Sequence, residues 1–325
     1  MNSIRKIKGN GNRKTFLNMI IVKTTKELSF RLKEKGFKGR IVSIQHLGDL
    51  KEELEDRHRQ GLFEEEFYRE RLTWFVFNPA EDFPKAESII VVSVPQSQIQ
   101  HIFNWKGESK SLVVPPTYST YPNKEVEALL TKILEPQGYS VACSKLPLKL
   151  LAIRSGLGYY GKNNICYVTG MGSFHRLMAF YSDLPCYEDN WQDAQMMETC
   201  DNCSACLNNC PACAISSERF LLHTERCITY HNEKPVNIPF PQWINPSWHH
   251  CLVGCMHCQS VCPENKDLMQ WIEQGAEFTE DETTLLLKGI PLDQLPEATQ
   301  QKIKKSDVSE YLEVLPRNLG VLLNK

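Results

Sequence analysis

Hydrophobic and polar positions along the first half of the chain follow two different periods. Lys26–Gly36 repeats apolar residues at helical spacing and stops at a glycine, and Lys124–Leu134 does the same before Pro136 and Gly138. Leu50–Arg59 has helical spacing with interspersed opposite charges, which predicts a helix with a solvated face. Arg40–Ile44 alternates with the period of a strand, and Ile89–Val94, bounded by Pro84 and Pro95, is a continuous apolar run expected to form a buried strand. Ile165–Thr169 and Leu177–Tyr181 predict strands on either side of the turn Gly170-Met171-Gly172-Ser173. These strands arrive at irregular intervals without regular βαβ alternation. The expected class is therefore α+β, a sandwich of helices and sheet rather than a doubly wound sheet. Helical segments are also expected around Thr283–Lys288 and Val308–Leu315.

The chain has 325 residues, 37 basic against 39 acidic, a balance that gives no electrostatic drive toward indiscriminate nucleic-acid binding. A hydrophobic fraction of 42% is that of an ordinary globular protein and excludes wholesale disorder. The longest apolar run, Ser88–Val94, is strand-sized, so no membrane span is expected. Met1–Val22 carries Arg5, Lys6, Lys8, Arg13 and Lys14 before a short apolar stretch broken by Asn18, with no small-residue cleavage site. It reads as a ragged start with Met19 as the initiator. The expected location is the cytoplasm.

Cysteine placement changes the picture. Ten of the thirteen cysteines fall between Cys200 and Cys262, and none precedes Cys143. With the turn signal Asp183-Leu184-Pro185, this shift divides the chain into four expected parts. They are a ragged N-terminus (1–22), an α+β domain (23–185), a cysteine-rich domain (186–268) and a short helical tail (269–325).

Cys200-x2-Cys203-x2-Cys206-x3-Cys210-Pro211 has the spacing of a bacterial ferredoxin run. In that arrangement three thiolates wrap one 4Fe–4S cubane, while the fourth points away to a second cluster. A zinc site would use separated Cys-x2-Cys pairs instead. Cys255-x2-Cys258-x3-Cys262-Pro263 repeats the run with Leu252 in place of its first thiolate. Crossing the fourth ligands gives Cys200, Cys203, Cys206 and Cys262 to one cluster. The other takes Cys210, Cys255, Cys258 and one of Cys227, Cys251 or Cys213, among which spacing does not choose. Cys143, Cys166 and Cys186 read as buried small hydrophobes. His249, His250 and His257 read as hydrogen-bonding residues rather than ligands.

Four further segments carry a resemblance. They are Gly156-Leu157-Gly158-Tyr159-Tyr160-Gly161-Lys162-Asn163, Gly172-Ser173-Phe174-His175-Arg176-Leu177, Arg226-Cys227-Ile228-Thr229-Tyr230 and Gly254-Cys255-x2-Cys258-x3-Cys262-Pro263. Together, over roughly residues 85–265, they resemble the epoxyqueuosine reductase family. The resemblance implies Cys227 as the remaining cluster ligand. It also implies a cobalamin held between the α+β domain and a ferredoxin-like two-cluster domain, with electrons from an external donor of flavodoxin or ferredoxin type. Gly156, Leu157, Gly158, Gly161, Lys162, Asn163, Gly172 and Ser173 are then expected to bind the cofactor, the glycines by letting backbone approach a flat ring.

Two departures shape the expected activity. The family's acidic element upstream of the glycine loop is Val141-Ala142-Cys143-Ser144-Lys145-Leu146-Pro147 here, without an acid. Tyr159, Tyr160, Lys162 and His175 are the candidates to supply the proton such a reduction needs. Residues 271–325 hold ten acidic and six basic residues, a balance ill-suited to gripping phosphates. The expectation is thus an iron–sulfur, cobalamin-dependent oxidoreductase acting on a substrate other than tRNA. The alternatives are the family's own reaction on tRNA in queuosine biosynthesis, and a ferredoxin-type electron-delivery protein with no substrate site.

Overall fold

The computed structural model describes residues 7–79, 83–306 and 308–324. A four-stranded antiparallel sheet forms the centre of the first half, in the order β1 (Lys38–Ser43), β2 (Ser88–Pro95), β8 (His175–Ser182) and β5 (Val141–Cys143). β2 is buried along almost its whole length because both of its faces are covered. Ile89 and Val91 point toward one core and Ile90, Val92 and Val94 toward another, the period-two division that a strand between two helical layers requires.

Helices α1 (Ile7–Glu34) and α3 (Tyr121–Leu134) cover the second face, through Leu28, Leu32, Val126, Leu130 and Leu134. On the other face, α2 (Leu47–Arg59) contributes Leu47, Leu50 and Leu54, and α4 (Leu148–Arg154) contributes Leu150, Leu151 and Ile153. The charged helix thus has the solvated face expected of it and a leucine stripe beneath. Each fully buried leucine contributes on the order of 1.5–3 kcal/mol.

Several boundaries differ from expectation. Residues 1–6 of the supposed ragged start lie outside the described residues, but α1 begins at Ile7 and buries Ile21, because that apolar side chain continues the stripe of Leu28 and Leu32. Ile165–Thr169 yields only the two-residue strand β7 (Cys166–Tyr167), paired with β6 (Tyr159–Tyr160) as a separate ribbon. Cys143 is exposed rather than buried, since it sits on an edge strand.

The tail departs most. β9 (Ile272–Phe278) adds in parallel to the hairpin β3 (Gln98–Trp105) and β4 (Glu108–Val114), so a second sheet forms in the order β4-β3-β9. Against it pack α5 (Glu280–Leu287), α6 (Glu297–Lys305) and α7 (Leu315–Leu323). Phe103, Phe278, Leu286, Leu315 and Leu319 share one core with Leu252 and Val253 of the cysteine-rich segment. The short helical tail is therefore a strand and three helices built onto residues from far upstream. The segment expected as a helix at 308–315 is a 3-10 turn followed by α7. Among the described residues, no helix is long and apolar enough to cross a membrane.

Candidate functional site

The cysteine-rich segment is built from loops and one-turn helices, which place thiols without a regular scaffold. Cys200 ends the turn Glu198–Cys200, Cys206 lies in the turn Ala205–Asn208, and Cys262 precedes the turn Pro263–Asn265. With Cys203 these thiols line a small cavity closed by Gly161, Lys162, Asn163, Tyr167 and Pro263. Burial pushes the Cys200 and Cys206 thiols up, and the neighbouring cysteines push them further. The Lys162 N–H, 3.4 Å from Cys200 Sγ, works the other way and favours its thiolate.

The second set converges as well. Cys210, Cys227, Cys255 and Cys258 line one cleft of about 420 Å³ between the α+β layers and the cysteine-rich segment. Burial pushes Cys255 up to about 12, with Cys227 and Cys210 adding to the shift, and pushes Cys258 well above the ordinary thiol value. Cys258 also feels Cys206 of the first set, so the two groups are neighbours. Such crowding disfavours four bare thiolates and is relieved when a cationic iron core takes them. Of the three cysteines that spacing left open, only Cys227 lines the cleft. Cys251 is buried against Phe174 and Met256, and Cys213 is exposed in a left-handed turn. His257 Nε2 lies 2.9 Å from the Trp248 carbonyl, and the Met256 N–H donates to His250 Nε2, the hydrogen-bonding roles expected of these histidines.

The glycine loop packs closely against the chain itself. A Cβ on Gly158 would meet the Tyr167 carbonyl oxygen at 2.6 Å, so this position packs against β7 of the chain itself rather than leaving room for a ring. Leu157 belongs to the core under the main sheet. None of Gly156, Leu157, Gly158, Gly161 or Lys162 lines the large cleft; Asn163 and Ser173 do. Lys162 turns toward the first thiol set, its Nζ donating to the Cys203 carbonyl at 2.8 Å. Gly172, with a φ of +52°, packs so tightly that a Cβ would sit 2.3 Å from Asn265 Oδ1. This turn is a joint between the α+β layers and the loop after Cys262.

The proton-donor candidates separate clearly. Tyr159 is 38% exposed and lines neither chamber. Tyr160 is buried and lines a second chamber of about 400 Å³, and burial pushes its hydroxyl up to about 12. His175 lines the large cleft. Its Nε2 lies 3.1 Å from the Cys166 carbonyl, its Nδ1 has no partner among the described residues, and burial lowers its pKa to about 4.

Lys149, Asn164, Tyr118 and Glu233 were not singled out from sequence. Lys149 and Asn164 form part of the wall shared by the two chambers. Lys149 is the lone polar residue in the run Leu146–Ile153, a signal that was available. The Tyr118 hydroxyl donates to Glu233 Oε1, linking the large cleft to the second chamber, which Arg57, Phe63, Phe67, Arg71 and Phe75 also line.

Comparison with known proteins fits this geometry. Residues 199–265 match the family model of the 4Fe-4S double cluster binding domain. The epoxyqueuosine reductase of Atelocyanobacterium thalassa is 27% identical over 209 residues, which cover 61% of this chain and 67% of that protein. That of Pseudomonas aeruginosa is 32% identical over 155 residues, 46% of this chain and 41% of that protein. Against the second relative, then, the match spans less than half its length. The crystal structure of an epoxyqueuosine reductase with a tRNA-Tyr epoxyqueuosine-modified stem loop superposes with a TM-score of 0.64 at 20% identity, covering 93% of this chain and 81% of that one. The enzyme from Streptococcus thermophilus gives 0.62 at 17% identity, over 92% and 80%. In sequence and in fold, this chain is similar to epoxyqueuosine reductases, and its residues 199–265 match the 4Fe-4S double cluster binding domain.

Proposed function

We propose that the chain is a cytoplasmic iron–sulfur reductase of epoxyqueuosine-modified tRNA, working with two 4Fe–4S clusters and a cobalamin. The observation that carries this reading is the convergence of two four-cysteine sets, one of them opening onto a cleft shared with a second chamber. Cys200, Cys203, Cys206 and Cys262 hold one cluster, and Cys210, Cys227, Cys255 and Cys258 the other. The two-cluster unit is residues 186–268, and the corrinoid unit is residues 23–185 completed by the tail.

The cleft has the chemistry a corrinoid needs. A corrin carries amide arms around an apolar ring, and the walls combine apolar side chains with two buried atoms that have no partner among the described residues, Asn164 Nδ2 and His175 Nδ1. One donates and the other accepts, so together they suit the carbonyl and the NH2 of such arms. When bound, the clusters carry single electrons and the cobalt supplies the reducing centre for the substrate. The chain's own part is to hold, orient and screen. Lys162 and its backbone N–H keep positive charge beside the first thiol set, and Asn163 lines the walls of both thiol cavities. Phe63, Phe67, Phe75 and Tyr160 make the second chamber a dry, aromatic place for a nucleoside.

The expectation of a substrate other than tRNA is set aside. It rested on the acidic tail, but part of that acidity is used internally: Glu282 pairs with Lys302 and caps α5, while the tail's apolar residues pack on β3. The tail's net charge therefore says little about a nucleic-acid surface. A similar fold holding a modified stem loop supports tRNA as the substrate.

Anaerobic reconstitution with iron, sulfide and cobalamin, then incubation with an epoxyqueuosine stem loop and reduced flavodoxin or ferredoxin, tests the proposal. Corrinoid absorbance and conversion to queuosine are expected. Iron–sulfur absorbance without corrinoid or product would favour the electron-delivery reading.

A further inference from the structure

Turning an epoxide into an alkene consumes two electrons and two protons and releases the oxygen as water. On the function proposed above, electrons come from the external one-electron donor, and the protons need a source in the chambers. The candidates taken from sequence do not provide one. Tyr159 lies outside the chambers, and Lys162 is committed to the Cys203 carbonyl. Tyr160 holds its proton too tightly, and His175 is neutral at physiological pH with its N–H turned to Cys166. Among the described residues, no carboxylate lines the large cleft. Glu233 in the second chamber is already engaged by the Tyr118 hydroxyl and lies 3.8 Å from Arg71.

We infer that Lys149 is the acid of this site, delivering protons to the substrate oxygen from the wall between the two chambers. Its place is fixed by α4, whose Leu150, Leu151 and Ile153 are locked in the core. Its Nζ donates to the Asn164 carbonyl at 2.7 Å and to Asn164 Oδ1 at 3.0 Å. Asn164 presents both oxygens from a left-handed backbone conformation, φ +61°, which asparagine tolerates better than most residues. Both acceptors are neutral, and Lys149 forms no ion pair among the described residues, so its third N–H and its whole charge remain for a ligand. Arg57 faces it from α2, Cys166 from β7 and Cys227 from the second thiol set, while the Tyr160 ring lies 6.0 Å away. The side chain is exposed to the chambers' volume yet densely surrounded by protein atoms, and that crowding lowers its pKa to about 8. At neutral pH it is a charged acid close to its working range.

The proton count closes. As an electron pair reaches one epoxide carbon, its C–O bond breaks and the oxygen takes a proton from Lys149, leaving a neutral amine. Water reprotonates the amine. The second C–O bond then breaks as the C=C forms, and the hydroxyl takes the second proton and leaves as water.

The test compares Lys149→Met, Lys149→Arg and the control Lys145→Met in reconstituted holoenzyme, with the epoxyqueuosine stem loop as substrate. Iron content and corrinoid absorbance should match wild type in all three. Lys149→Met should lose about a hundredfold or more in kcat. Lys149→Arg should recover KM without recovering kcat, because a guanidinium holds its proton. The wild-type rate should fall above about pH 8, a limb absent from Lys149→Met. A Lys149→Met enzyme within about threefold of wild type, or one that keeps the alkaline limb, overturns the assignment and leaves the reductase reading standing. An inert wild type carrying both clusters and corrinoid overturns the reductase reading, and the acid role with it.

Discussion

Asn265 grips Ser173 with both ends of its side chain. Its Oδ1 accepts the Ser173 N–H at 2.9 Å, and its Nδ2 donates to Ser173 Oγ at 2.8 Å. Ser173 is on the turn that leads into β8, and Asn265 is three residues beyond Cys262. One buried amide therefore ties the central sheet to the first thiol set.

Asn265→Ala should cost about 1–3 kcal/mol, because it leaves the buried Ser173 N–H without its acceptor and Ser173 Oγ with Gln259 alone. The loop carrying Cys262 should loosen with it. Thermal melting and iron loss to a chelator measure the two effects. A variant with wild-type Tm and chelator resistance would contradict the clamp.

Lys162→Met should lower the reduction potential of the first cluster, since it removes a positive charge beside the loop of Cys200 and Cys203. Corrinoid retention should not change, because Lys162 is not on the cleft. Redox titration followed by EPR reads the potential. Loss of corrinoid with an unmoved potential would return Lys162 to the role that the glycine-loop resemblance implied.

What could be read from sequence was what is local. The run Cys200–Cys210 places its thiols through spacing alone, and β2 announces itself as an unbroken apolar segment between prolines. Placing Cys227 beside Cys210 and Cys255 needed the resemblance, because nothing near it in the chain points at either. β9 was out of reach. Its sequence Ile272-Glu273-Gln274-Gly275-Ala276-Glu277-Phe278 is mostly polar and exposed, and it is a strand because β3, from far upstream, offers it an edge. The glycine loop is ambiguous for a related reason. Glycines signal close approach, but they do not say whether the neighbour is a cofactor or, as at Gly158, the chain's own β7.

His175 should make stability depend on acid. Its folded pKa is about 4, below the ordinary 6.5, so the unfolded chain binds the extra proton more readily between those values. Stability should be full above pH 6.5 and fall as the pH drops toward 4, by roughly 3 kcal/mol in all. Denaturant midpoints at neutral pH and near pH 4.5, for wild type and His175→Gln, measure it. Equal losses in both proteins would assign the acid sensitivity to other groups.

Cys227→Ala and Cys251→Ala divide the question that spacing left open. The first should lose one cluster, because Cys227 lines the cleft with Cys210, Cys255 and Cys258. The second should keep both clusters and lose packing beside Phe174 and Met256. Absorbance near 400 nm and iron analysis distinguish the variants, and the reverse pattern would exchange the two assignments.

The most direct test of paired cubane centres is iron and acid-labile sulfide per chain in anaerobically purified protein, with Cys206→Ala and Cys258→Ala alongside. About eight irons and eight sulfides are expected in the wild type, falling to about four of each in either variant. Zinc at these thiolates, or an iron count that neither substitution changes, would contradict the account.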